Sequence, residues 1–266
     1  MTLVLTQSHY PSLQYYLDSK QVTDTTKSEA SYLFLERVRV PAVYSTYVSL
    51  VDFSFPISWY NITAVNNTLI FGIGGNVVTF SVPPGNYDAT AIASSIRVSY
   101  NGTHICAEYD AMTNMMRLMA NTAFSIYPTG TLNTMLGFTS AVVVNSTLYG
   151  GSAPPNASYI NGVTSVDVGG TRRLVLRTNF RTPNMDTHSL TSSSILASVP
   201  IEGTFGSIQV YKNVTGFRSK TIDQDSMNVV FVSIYDEDDN LVDFRNCNWS
   251  MTLQFDFVYS QREPIY

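Results

Sequence analysis

Charge is scarce in this chain. Asp, Glu, Lys and Arg make up 13% of its 266 residues, against 44% hydrophobic. Disorder needs the opposite balance, so the chain folds into a globular body with little solubilising surface, and self-association would hide the neutral remainder. Basic residues are outnumbered, 15 to 20, giving a net charge of −5 and a pI of about 5.1. No basic run supplies the phosphate-neutralising attraction that dominates nucleic-acid affinity, so direct nucleic-acid binding is not expected. Arg172 and Arg173 read as a solvated strand end. The two cysteines, Cys106 and Cys247, lie far apart without a CxxC, which argues against a disulfide scaffold or zinc knuckle and for two reduced, partly buried thiols. No stretch approaches the roughly 20 apolar residues of a membrane helix. The opening MTLVLTQSHYPSLQYYL lacks the basic and apolar regions of a signal peptide, so synthesis and use on the cytosolic side are expected. Without secretion, the Asn-x-Ser/Thr triplets at Asn61, Asn66, Asn101, Asn145, Asn156, Asn213 and Asn248 read as products of an Asn/Ser/Thr-rich composition.

Aromatic and β-branched residues are abundant instead, with 17 Tyr and 14 Phe. Residues 1–30 are polar and irregular, an arm ordered on assembly or an early edge strand. From Ser31 the pattern alternates. Leu33, Leu35, Arg37 and Arg39 share one face, opposed by Phe34, Val38 and Val40. Tyr47, Ser49, Val51, Phe53 and Phe55 form a second register, and Pro41 and Pro56 end the runs. GIGGN separates apolar runs over 68–71 and 77–82 and reads as a hairpin turn, since no GK[ST] follows to make a phosphate loop. After Pro83-Pro84-Gly85, Asn86 or Asp88 caps a helix carrying Ala89, Ile92, Ile96 and Tyr100. A hairpin over 104–120, a strand over 124–127 and a short helix over 131–136, ended by Gly137, complete a small α+β unit at 83–140. After a loop-rich stretch, strands are expected over 165–168, 173–178, 195–201, 207–211, 228–235, 241–244 and 249–259. In the last, Met251, Leu253, Phe255 and Phe257 share one face. The pattern predicts an all-β fold: an antiparallel sandwich of single jelly-roll type, 31–82 with 141–266, interrupted by the 83–140 insert and preceded by the 1–30 arm.

Little here suggests catalysis. His9, His104 and His188 have no partners at metal spacing; His104 and Cys106 share a strand face but make two ligands where a site needs three or four. Asp236, Glu237, Asp238 and Asp239 read as a hairpin tip, with a weak calcium site as the alternative, although the spacing is not that of an EF-hand. The serines of SLTSSSIL have no identifiable base, and GxSxG and HExxH are missing. The expectation is a non-enzyme with no catalytic, cofactor-binding or metal-binding residues and no cofactor.

Four ordered segments carry a family resemblance: VSLVDFSFPISWYNI; VTFSVPPGNYDATAIASSI, with its Pro-Pro-Gly-x-Tyr turn and helix; TLNTMLGF; and IYDEDDNLVDFRNCNWSMTLQF. Together they resemble the penton or minor capsid proteins of Polinton-like viruses, virophages and related large DNA viruses of the double-jelly-roll lineage, over residues 31–259. The resemblance implies a single jelly roll with an inserted subdomain and a homopentamer at the fivefold vertices of a virion. It also implies contact with a trimeric major capsid protein, and with other minor capsid proteins or a vertex fibre. It brings no catalytic residues. The sandwich flanks are expected to form the ring interface, with the insert projecting outward. A carbohydrate-binding β-sandwich module is the alternative from another class.

Overall fold

The computed structural model describes residues 3–4, 12–39, 44–139, 142–148, 158–180, 194–220 and 226–259. The chain begins with β1 (Leu3–Val4), β2 (Ser12–Asp18), β3 (Glu29–Arg39) and β4 (Tyr44–Pro56). It continues through β5 (Thr68–Ile73), β6 (Asn76–Ser81), α1 (Ala89–Ser95), β7 (Arg97–Tyr100), β8 (Thr103–Asp110) and β9 (Met115–Ala120). Next come β10 (Phe124–Ile126), β11 (Val144–Asn145), β12 (Thr147–Leu148) and β13 (Ser158–Asn161). It ends with β14 (Arg173–Thr178), β15 (Ile195–Pro200), β16 (Ile208–Lys212), β17 (Ser219–Lys220), β18 (Ser226–Tyr235) and β19 (Ser250–Tyr259). Two compact units result: Met1–Trp59 with Thr171–Tyr266, and Tyr60–Gly170.

The first unit is a jelly roll. One sheet has the order β1-β3-β18-β14-β15 and the other β16-β4-β19-β2, with β17 also on β4. Numbered along the chain, its eight main strands pair first with eighth (β2, β19), second with seventh (β3, β18), third with sixth (β4, β16) and fourth with fifth (β14, β15). This nested set is a long antiparallel hairpin rolled into two facing sheets. Of the two readings for residues 1–30, residues 12–18 form the edge strand. The core is aromatic: Phe53, Phe55, Phe180, Phe244, Phe255 and Phe257 are fully buried, with Trp249 and Trp59 beside them. Phe255 meets the rings of Tyr15 at 5.7 Å and Phe180 at 5.2 Å, both edge-on. Trp249 donates its indole N–H to the Lys27 carbonyl at 2.7 Å, which satisfies its polar edge inside the core.

Alternation predicts the buried face of β19 correctly but fails in β4. Phe53 and Phe55 are buried, yet so are Val48 and Leu50, while Tyr47 and Ser49 face the other way. The cause is a β-bulge: Thr252 pairs with Asp52 but Leu253 pairs with Leu50, so Val51 is an extra residue that flips the register. In β3, Leu33 is exposed; the side chains of residues 34–40 lie outside the described residues.

The second unit extends beyond the expected boundaries at 83 and 140. Its sheets, β11-β10-β5-β6 and β12-β13-β9-β8-β7, recruit the 68–81 hairpin and the strands at 144–148 and 158–161. Strand β5 pairs with β10 and β13 with β9, so these segments share a core with Ile92, Ile96, Leu118 and Leu136. The change in composition at Pro83 marks a turn inside the unit. Asn61 ties the unit's two ends together, its amide donating to Tyr87 O (2.7 Å) and Val168 O (2.6 Å) and its carbonyl accepting from Tyr87 N (2.9 Å).

Other expectations change locally. Helix α1 stops at Ser95, capped at its start by Asp88, whose side chain accepts from Ala91 N at 2.7 Å. Residues 97–100 instead pair with β8 through an Asn101-Gly102 turn, both residues at positive φ, a strong hairpin signal that outweighs the helical spacing of Tyr100. Gly74 and Gly75, both at positive φ, turn the β5–β6 hairpin as expected. Residues 131–137 form successive turns where a helix was expected. Leu132 N bonds Thr68 O and the Asn133 amide bonds Tyr127 O, and so short a segment cannot offset helix nucleation by itself. Gly137 does take a left-handed φ of 79°, and a Cβ there would lie 2.1 Å from Thr164 O. Segments 165–168 and 241–244 form no ladder of their own: Val166 N bonds Asn114 O, Asp167 N bonds Met135 O and Phe244 N bonds Thr26 O, while Leu241 makes an isolated antiparallel bridge to Tyr235 and Val242 N bonds Ile234 O.

Phe255→Ala should lower stability by about 3–5 kcal/mol in urea denaturation, the cost of a large cavity in a rigid aromatic core. Tyr32 gives a pH prediction. Burial, and then the Asp18 carboxylate, pushes its phenol far above the usual tyrosine range. Its hydroxyl has no hydrogen-bond partner among the described residues. The unfolded chain therefore releases this proton near pH 10 while the folded chain holds it, so the stability contribution is complete below about pH 10 and lost as pH rises above it. Tyr32→Phe should leave stability at pH 7 unchanged or higher and flatten the alkaline decline, read from unfolding midpoints between pH 7 and 11.

Candidate assembly surfaces

His104 is exposed on β8, its Nδ1 2.9 Å from Ser99 Oγ. Cys106 lies two residues along the same face and is exposed, where partial burial was expected; Cys247 is half-buried. Among the described residues no three His, Cys, Asp or Glu side chains converge as a metal site, and no helix is long and apolar enough to cross a membrane. His9, His188 and residues 189–193 of the serine-rich segment lie outside the described residues.

The acidic run closes a hairpin tip. Asp236 Oδ1 accepts from Asp238 N at 2.9 Å and Asn240 N at 2.8 Å. Glu237 accepts from Arg172 N at 3.1 Å, and Asp239 pairs with Arg177 at 2.6 Å. Arg177 also lies 4.7 Å from the Tyr235 ring centroid. Three of the four carboxylates thus point at partners within the fold.

The asparagine triplets have structural tasks too. Besides Asn61, the Asn66 amide donates to Asn61 O at 3.0 Å, and Asn101 turns the β7–β8 hairpin. Asn213 organises the turn after β16, donating to Phe217 O at 2.7 Å and accepting from Phe217 N at 3.1 Å. Asn248 accepts from the Lys27 ammonium. Asn145 is an exposed residue of β11, and Asn156 lies outside the described residues.

What the jelly roll offers instead is neutral and apolar outer surface. On the β3-β18-β14 face, Leu33 (80% exposed) sits opposite Val229, and Phe231 (51% exposed) is one diagonal step away. Asn179 holds that strand in place, its side chain bonding Val229 O and Phe231 N at 3.0 Å each where β14 has ended. On the opposite sheet, the outer face carries Gln14, Tyr16, Ser250, Thr252 and Gln254. Here Gln14 donates to Gln254 at 2.9 Å. Arg218 lies 3.6 Å from Asp256 and 5.0 Å from the Tyr47 ring centroid.

Strand β16 is turned inside out. Ile208 (72% exposed) and Val210 (56% exposed) face solvent, while Gln209 and Tyr211 face inward. Gln209 is held there by bonds to Pro200 O (2.7 Å) and Glu202 N (3.0 Å). Val214 and Phe217, in the turn that follows, are exposed as well. Alternation in SIQVYK locates the strand but gives the wrong inner face, so this surface is not legible from the pattern. Such faces bind by being covered: neutral groups cost little to desolvate, and the apolar ones gain.

No protein-family model matches the chain, and no curated protein matches it. Among solved structures, the fold is similar to the crystal structure of SeMet-labelled mavirus penton protein, with a TM-score of 0.51 and 10% sequence identity. The match covers 94% of this chain and 100% of that one. At this identity the likeness is one of fold.

If the acidic tip is a structural turn, Asp236→Ala should cost about 1 kcal/mol through the lost backbone bonds. Millimolar calcium should leave the wild-type melting temperature where it was; a calcium-dependent rise would restore the cation reading.

Proposed function

We propose that this protein is a structural subunit of an icosahedral virus shell, a penton-type homopentamer closing the fivefold vertices and contacting a major capsid protein. The observation that carries the reading is the end-to-end likeness to mavirus penton protein, whose uncovered remainder in this chain, 6%, is far smaller than the inserted unit. A jelly roll alone supports many functions, so the likeness needs independent support. The surface supplies it: low charge, exposed apolar side chains on a sheet face and a sheet edge, and acidic groups committed to turns. A closed ring requires one surface of each copy to meet a different surface of the next, and the sandwich flanks offer both kinds. In this reading the inserted unit, residues 60–170, faces partners outside the ring, such as a vertex fibre, another minor capsid protein or a host surface.

Negative-stain images of the purified chain should contain fivefold rings. A monomer at tens of micromolar that is retained on a glycan column would favour the carbohydrate-binding alternative and remove the shell reading.

A further inference from the structure

We propose that β16 of one copy pairs with β2 of a second copy, so that the β2-β19-β4-β16 sheet continues from subunit to subunit around the ring. This rests on the shell-subunit reading and adds which edges are buried and against what.

Both strands are sheet edges, and among the described residues no strand pairs with their outer sides. Edges are normally protected by proline, a bulge or an inward-pointing charge. The only charges on these two strands are at their ends, Lys212 on β16 and Asp18 on β2; residues 208–211 and 13–17 carry none of these devices, and the inverted β16 adds two apolar side chains to the edge.

The hydrogen-bond phase selects the partner. Ile57 N donates to Ser207 O and Asn213 N to Val51 O, so the odd-numbered residues of β16 bond to β4. The N–H and C=O groups of Ile208 and Val210 therefore point outward. On β2, Ser19 N donates to Trp249 O, so the odd-numbered residues bond to β19, and the backbone groups of Gln14 and Tyr16 point outward. On both edges these outward groups belong to residues whose side chains lie on the sheet's outer face. Four antiparallel strands also leave β16 and β2 running in opposite directions. A second copy related by rotation thus presents β2 in the direction, face and phase that β16 needs.

The side chains fix the register. With Tyr16 opposite Ile208 and Gln14 opposite Val210, aromatic and aliphatic groups meet, Ser12 faces Lys212, and Asp18 lies beyond the end of β16. Sliding by two residues sets the Asp18 carboxylate against Ile208. A twofold pairing of β16 with β16 centred on Val210 sets Lys212 against Ile208 and leaves the β2 edge open.

The test uses the full chain with Cys106→Ser, Cys247→Ser and a Val210→Cys, Gln14→Cys pair. Directly opposed hydrogen-bonded residues have Cα atoms about 5.5 Å apart, within disulfide range. Mild oxidation should give a covalent ladder ending at five subunits. Each single-cysteine variant should stay uncross-linked, and a mixture of the two should stop at dimers. Val210→Pro should reduce rings at least tenfold with an unchanged melting temperature, because among the described residues that N–H has no partner within its own subunit. Intact rings without a ladder would overturn the seam and leave the shell reading standing. Dimers from Val210→Cys alone would overturn it in favour of twofold edge pairing. Wild-type protein that never self-associates would remove the shell reading and the seam together.

Discussion

The jelly roll depends on a dry slab of aromatic side chains between two sheets. Phe53 and Phe55 stack with centroids 4.6 Å apart, Trp249 meets Phe53 edge-on at 6.0 Å, and Phe255 and Phe257 extend the same face of β19. Nested pairing is what brings them together. Because the first strand pairs with the eighth and the third with the sixth, β4 and β19 become central neighbours although some 200 residues separate them in the chain. The inserted unit interrupts the step from the third strand to the fourth. An insertion there adds loop length without removing a ladder, and loop-closure entropy grows only slowly with length. Asn61, at one end of the insert, makes the interruption compact by binding Val168, near the other end, and Tyr87 on one side chain.

Two departures from simple alternation shape the outer surface. The bulge at Val51 lets one long strand serve the core along its whole length, with Val48 and Leu50 before it and Phe53 and Phe55 after it. The inversion of β16 does the reverse, spending an amide and a phenol inward and two aliphatic groups outward. Within the single chain Tyr211 packs on the core and Gln209 bonds Pro200 and Glu202, while Ile208 and Val210 are left in water. The low content of charged residues leaves few surface groups that would resist desolvation.

The polar residues that drew notice in the sequence serve the scaffold. Asp236 is the acceptor for a tight turn, Asp239 anchors Arg177 over Tyr235, and Asn213 shapes the turn that presents Val214 and Phe217. These local side-chain-to-backbone bonds are characteristic of Asp and Asn in turns, and they explain the richness in such residues without a catalytic role.

The sequence by itself determined the all-β class, the inner face of β19, the hairpin turned by Gly74 and Gly75, a helix cap at Asn86 or Asp88 and the acidic hairpin tip. Each of these is set by neighbours within a few residues. It also pointed to a mixed unit inside the chain, but Pro83 marked a turn where a boundary was expected, and Asn101-Gly102 outweighed a helical spacing. The extent of the insert, the Val51 bulge and the outward face of β16 were decided by tertiary structure alone. Each depends on a ladder partner distant in sequence: β10 for β5, β19 for β4, and the Pro200 carbonyl for Gln209. A period-two pattern fixes the buried face where one face is clearly apolar, as in β19; in β4 and β16 the strand or carbonyl beside it decides.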